Sequence, residues 1–123
     1  MAHTEIATDE TSRLIASDKV EGTNVYNREG EKLGSIHNFM VDKQSGNVEY
    51  AVLRFGGLFG LGGENYPLPW DVLTYDPEQG GYLVDLGKDV LEDAPRYSAE
   101  NEPRFDSGYG REVYGYYGVA YPY

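Results

Sequence analysis

The sequence predicts an all-β domain, built as a small barrel or sandwich, on three observations. Short β-branched and aromatic runs recur between turn residues through the middle of the chain. Residues 46–57, GNVEYAVLRFGG, open on a turn, run through apolar residues of both parities and close on a glycine pair. Val48, Tyr50 and Val52 fall on one parity and Ala51, Leu53 and Phe55 on the other, the pattern of a central strand covered on both faces. Sixteen glycines and twelve tyrosines in 123 residues suit turns, strands and interfaces better than helix bundles.

Taken in order, residues 1–12 are polar and acidic and read as a flexible arm. Residues 13–16 read as a short first strand, and Ser17 to Val20 as at most one helical turn, because cap-like residues lead into no sustained helical period. Residues 22–26 are strand-like and end in a turn at residues 27–30, where Gly30 tolerates positive φ. Residues 33–41 form the next strand. Its apolar positions switch parity between Ile36 and Phe39, which predicts a β-bulge near His37 or Asn38. Residues 42–46 read as a type I turn with Gly46 at the left-handed position, making a hairpin with the central strand.

After the central strand, residues 56–63 interleave glycines with Leu58, Phe59 and Leu61. Residues 66–70 must be an edge or irregular strand, because Pro67 and Pro69 remove ladder donors. A tight turn at residues 71–73 leads into a short strand at 73–75, a plain turn at 77–81 and a strand at 82–86. Residues 88–92 read as one helical turn, stopped by Ala94 ahead of Pro95. Beyond Pro95 the composition changes: residues 97–106 are polar and acidic, and 107–123 are rich in glycine and tyrosine. The organisation is an arm (1–12), a folded domain (13–95) and a C-terminal extension (96–123).

Composition excludes several function classes. The net charge of −11 repels nucleic acid and anionic membrane, and the ten Lys and Arg are scattered singly, so no basic patch offsets it. With no cysteine, neither a disulfide frame nor a thiolate metal site is available. No run approaches the roughly 18 apolar residues of a membrane span, and residues 1–15 lack the apolar segment of a secretory signal. The expectation is a cytoplasmic protein with no direct membrane insertion.

Several stretches together resemble the PRC-barrel family, named for the cytoplasmic barrel of the photosynthetic reaction-centre H subunit. They are residues 22–26, 30–36, 41–46 and 56–62, then Pro69, Trp70, Asp71 and Leu73, and finally Asp93, Ala94 and Pro95. Their order, over roughly Leu14 to Pro95, carries the resemblance. It implies a small, strongly bent antiparallel β-barrel of the free-standing type, whose relatives often end in a tyrosine-rich segment like residues 116–119. The resemblance implies no common catalytic residues and a role in assembly or interaction. One branch of the family works beside RNA in ribosome maturation, a role the acidity here opposes.

Candidate sites are weighed by the chemistry each would need. A phosphate cradle needs backbone N–H groups at a helix N-terminus, but the glycine loop is followed by Glu64 and Asn65 with no helical pattern. Its glycines, Gly56 and Gly57 foremost, read as a sharp reversal. His3 and His37 lack metal-ligand spacing, and no acid is placed to orient His37 beside Ser35, so it reads as a bulge or exposed strand residue. Asp89, Glu92 and Asp93 lack the ordered ligand positions of an EF-hand and read as a solvated acidic turn. Trp70 reads as a core plug rather than a ligand-stacking ring, beside Val48, Val52 and Leu53.

The functional expectation is a non-catalytic interaction or assembly module with no cofactor and no metal. It self-associates as a dimer or docks another protein, and binds no nucleic acid. The expected interface uses Leu58, Phe59 and Leu61 with Tyr114, Tyr116, Tyr117 and Val119, because large apolar loop residues and tyrosines suit contact surfaces. The alternatives are a small-ligand or enzymatic barrel using the glycine loop or His37, and an RNA-processing factor. An enzyme would need several titratable groups aimed into one pocket, and an RNA-processing factor a basic face.

Overall fold

The computed structural model describes residues 14–55 and 64–123. Among these residues the fold is mostly β, with one six-stranded sheet and three short α-helices. In chain order the elements are α1 (Ser17–Val20), β1 (Asn24–Tyr26), β2 (Lys32–Val41), β3 (Val48–Phe55), β4 (Glu64–Pro69), β5 (Thr74–Asp76), β6 (Gly81–Leu83), α2 (Lys88–Glu92) and α3 (Ser107–Tyr116). Single 3₁₀ turns lie at Trp70–Val72 and Ala99–Asn101.

The meander β1 to β4 follows its turn chemistry. Gly30 and Gly46 both sit at positive φ, +85° and +81°, where a Cβ would be strained. The Asp42 carboxylate accepts from the N–H groups of Gln44 and Ser45, which closes the β2–β3 turn and holds that carboxyl below its usual range. In β2, Ile36 pairs with Leu53 and Asn38 with Val52, so His37 is the extra residue of the expected bulge. A second irregularity follows between Met40 and Val41.

The prolines of β4 occupy its outer edge for a reason the ladder makes plain. Asn65 exchanges both backbone hydrogen bonds with Tyr97, at 2.9 Å each, so its N–H and C=O point away from β3. Pro67 and Pro69 share that parity, and their missing N–H groups fall where β3 needs no donor.

The expectation of a closed, wholly antiparallel barrel is corrected in two respects. The strand order is β4-β3-β2-β1-β6-β5, and among the described residues the outer strands β4 and β5 do not pair with each other. In addition β6 runs parallel to β1, with Val25 opposite Tyr82 and Tyr26 opposite Leu83. The parallel pair arises because the chain passes from one edge of the sheet to the other before the β5–β6 hairpin returns beside β1. That passage requires a strongly bent sheet. Flat, five inter-strand gaps of about 4.8 Å would separate the edges by about 24 Å. The five steps from Pro69 to Thr74 reach about 18 Å at most when extended, and three of the intervening residues coil into a 3₁₀ turn.

The concave side holds the main core: Val25, Ile36, Leu53, Leu68, Val84 and Leu91 are its largest wholly buried residues. Trp70 contributes as expected but only half-buried, its ring 6.3 Å from Phe39 and 5.7 Å from Tyr82. Val52 and Leu53 are fully buried and Val48 half-buried. Two further expectations are corrected. Residues 14–16 form no strand: both apolar side chains there, Leu14 and Ile15, face solvent, so no buried face drives pairing. The last strand stops at Leu83 instead of Leu86, although the Val84 N–H still donates to the Tyr26 carbonyl at 2.9 Å. Among the described residues no helix is long and apolar enough to cross a membrane.

Candidate functional site

The convex side of β3 carries two different surfaces on one parity. Tyr50, Val52 and Arg54 stand opposite Pro69, Pro67 and Asn65 of β4, and opposite Met40, Asn38 and Ser35 of β2. The row is apolar at the Tyr50 end and polar at the Arg54 end.

Helix α3 covers the apolar end. Asp106 caps it by accepting from the Tyr109 N–H at 3.0 Å. Glycines 108, 110 and 115 make the helix intrinsically weak, so its stability comes from the face it buries. Val113 and Tyr114 are buried against Tyr50, whose ring lies 5.7 Å from Phe105, 6.4 Å from Tyr109 and 5.8 Å from Tyr114. The Tyr114 hydroxyl donates to the Glu49 carbonyl. Gly110 is required by close approach, since a Cβ there would come within 2.3 Å of the Tyr121 ring. Burial pushes the phenols of Tyr50, Tyr114 and Tyr117 well above their ordinary range and that of Tyr109 up to about 12. The hydroxyls of Tyr50, Tyr109 and Tyr117 are buried and find no hydrogen-bond partner among the described residues.

At the polar end His37, the extra residue of the bulge, lies beside Arg54. The Arg54 Nε and Nη2 donate to the Asn65 Oδ1 at 3.3 and 3.2 Å, and Nη2 lies 3.4 Å from the His37 Nε2. As a hydrogen bond, that last approach needs Nε2 to be the unprotonated ring nitrogen. Asn65 is 4% exposed and is held by its backbone pair with Tyr97. Burial raises the Tyr97 phenol, Glu102 adds to that, and the Arg54 guanidinium partly offsets both. A neighbouring cation is already engaged: Arg96 lies 3.9 Å from a Glu64 carboxylate oxygen and 5.9 Å from the centre of the Tyr66 ring. The corner is a set of oriented donors with no nucleophile–base pair in it. Among the described residues no three His, Cys, Asp or Glu side chains converge as a metal site.

A third surface lies at the other sheet edge. Leu14, Ile15 and Tyr75 are 69%, 39% and 38% exposed. Ile15 and Tyr75 line one shallow depression together with Asp18, Lys19, Thr23 and Gly80. Tyr75 ends a row of ring contacts running from the core: Phe39 to Trp70, Trp70 to Tyr82 at 5.7 Å, and Tyr82 to Tyr75 at 5.4 Å.

Only the tail half of the expected interface falls within the described residues. Leu58, Phe59 and Leu61, with Gly56 and Gly57, lie outside the described residues. Tyr114 is spent on its own sheet, which corrects its reading as a partner-facing residue: the exposed face of β3 needed cover and α3 supplies it. Tyr117 and Val119 are half-buried in the same layer, and Tyr116 is exposed with its hydroxyl donating to the Val90 carbonyl. Sequence reasoning missed Arg54, Asn65 and Tyr97 as a group. The available signal was one cation near the end of an otherwise apolar strand.

With this geometry in hand, comparison with known proteins gives three findings. The PRC-barrel domain family matches residues 13–91. Among solved structures 32 chains match, including a putative 16S ribosomal RNA processing protein RimM from Pseudomonas aeruginosa, 21% identical with a TM-score of 0.43. That alignment covers 60% of this chain and 44% of the other, less than half of its length. No curated protein matches.

Proposed function

The chain belongs to the PRC-barrel family, its domain match spanning residues 13–91, and from that premise we propose that it is a non-catalytic protein-interaction module that pairs with a second copy through the β5 edge. The observation that carries this reading is the exposed apolar pair Ile15 and Tyr75, lining one depression beside a strand that among the described residues has a partner on one side only. Exposed apolar area next to unpaired backbone groups favours strand addition.

The edge suits a second copy because β5 is self-complementary. Antiparallel pairing about a two-fold axis at Tyr75 sets Tyr75 against its own copy and Thr74 against Asp76. Tyr75 is braced from behind by Tyr82, itself packed on Trp70, so little side-chain freedom is lost on docking. The Asp76 carboxylate is already occupied by the Gln79 side chain and the Glu78 N–H, which hold it below its usual range and ease its placement at a rim. With only three residues, the strand limits pairing to a closed dimer rather than a growing sheet.

Light scattering on the full chain at micromolar concentration tests the proposal. A dimer is expected, reduced to monomer by Tyr75→Asp and by Ile15→Asp. A wild-type monomer, or a dimer unaffected by both substitutions, removes this interface. Fluorescence anisotropy with single-stranded RNA at low salt tests the RNA-processing alternative; the net charge of −11 leads to an expectation of no submicromolar binding.

A further inference from the structure

We infer that the corner formed by Arg54, Asn65, His37 and Tyr97 is an anchoring site for a single carboxylate group, supplied by an acidic side chain or chain terminus of a protein. The site is separate from the β5 edge and does not depend on dimerisation there.

Four observations lead to this. First, the Arg54 guanidinium is held by neutral partners, the Asn65 amide oxygen and the His37 ring, and among the described residues no carboxylate reaches ion-pair distance of it. In a chain with 21 acidic and 10 basic residues, a half-buried arginine with no acidic partner among the described residues is conspicuous. Second, the group is rigidly aimed. Asn65 grips Nε and Nη2, and is itself fixed by two backbone hydrogen bonds to Tyr97. Less freedom is lost when a pre-oriented guanidinium receives an oxyanion, here at its remaining Nη1 donors. Third, accepting from Arg54 through its oxygen leaves the Asn65 amide N–H groups as further donors at the same place, beside the Tyr97 phenol. Fourth, the surroundings set the charge of the ligand. One guanidinium with no carboxylate at ion-pair distance among the described residues balances one negative charge, Arg96 is already engaged by Glu64, and the protein's overall charge opposes a dianion or polyanion. A carboxylate fits these limits better than a phosphate.

The bulge completes the arrangement. Ser35 stands opposite Arg54, and the extra residue between Ile36 and Asn38 shifts the parity so that Asn38 follows on the same face, opposite Val52. A feature that disrupts the ladder thus gains a role in shaping the corner.

The test is a two-dimensional ¹H–¹⁵N titration of the labelled full chain, following the Arg54 Nε–H and Asn65 side-chain amide signals. Sodium acetate, methyl phosphate and a short peptide ending in glutamate are compared with sodium chloride at constant ionic strength. Both signals are expected to shift saturably with acetate and with the peptide, and not with chloride. Arg54→Gln should weaken the Asn65 response by roughly tenfold or more, the scale of losing hydrogen bonds to a charged group, while Arg54→Lys should weaken it less. Linear shifts identical in acetate and chloride would overturn the inference. So would an undiminished Asn65 response in Arg54→Gln, or tighter binding of methyl phosphate than of acetate. The wild-type Arg54 signal decides the matter by itself if a substitution prevents folding.

Discussion

Removing the hydroxyl from Tyr50 and from Tyr114 should move stability in opposite directions, although the chemical change is the same and the rings touch. Their centroids are 5.8 Å apart, and both residues are buried between β3 and α3. The Tyr114 hydroxyl donates to the Glu49 carbonyl, whereas the Tyr50 hydroxyl finds no partner among the described residues. Tyr114→Phe removes one made hydrogen bond, a net loss of about 1 kcal/mol. Tyr50→Phe removes a buried hydroxyl that lost its hydration on folding, and releasing that penalty gains about 1 kcal/mol. The packing term changes little in either case, since both rings stay in place. The two variants should therefore differ by about 2 kcal/mol, or about 8 °C in melting temperature for a domain of this size. Urea unfolding with an unchanged m-value measures the difference as a shift in midpoint. If both substitutions destabilise equally, the Tyr50 hydroxyl is satisfied in solution and the reasoning fails.

Two further outcomes follow from the same packing. The phenols of Tyr50, Tyr109, Tyr114 and Tyr117 titrate higher folded than unfolded, that of Tyr109 at about 12, so the unfolded chain loses protons first as pH rises. Stability should hold below the ordinary tyrosine pKa near 10 and fall from there toward about 12; urea midpoints unchanged between pH 9 and 11 would contradict this. Trp70→Ala should cost about 3 kcal/mol, the low end for deleting a large aromatic ring, because the ring is half-buried beside Phe39 and Tyr82. A loss below about 1 kcal/mol in denaturant melts would class Trp70 as a surface residue.

Much of the sheet was legible because its signals are local. The parity switch after Ile36 marks the bulge, the glycine at position 46 marks the hairpin, and apolar residues on both parities of residues 48–55 mark a strand covered twice. The parallel β1–β6 pair was not legible, since nothing in either three-residue strand encodes which neighbour a bent sheet will bring beside it. Helix α3 was hidden for a different reason. Three glycines and several tyrosines in ten residues oppose a helical reading on propensity. What favours the helix is the Tyr50 face of β3, more than fifty positions earlier in the chain. A tertiary demand overrides a local preference there, and only the double cover implied by β3 hinted at it.

That double cover also explains why the polar corner lies where it does. Along one parity of β3 the side chains run from Tyr50 through Val52 to Arg54, and the aromatic layer extends over them from Tyr114 and Tyr109 to Phe105 and Tyr97. Tyr109 and Tyr114 both contact Tyr50, and Phe105 lies 5.6 Å from Tyr109 and 5.8 Å from Tyr97. The layer meets Arg54 at Tyr97, whose backbone is tied to Asn65 and whose phenol feels the guanidinium. The apolar cover therefore lowers the dielectric on one side of Arg54 while His37 on the other side is open to solvent. A charge in such a half-sheltered position interacts with an arriving carboxylate more strongly than one fully in water, yet it does not bear the full cost of burial without a partner. The sequence of events in the chain is thus physical rather than accidental: a strand with two apolar faces recruits its own C-terminal segment, and the limit of that cover leaves one oriented cation at its margin.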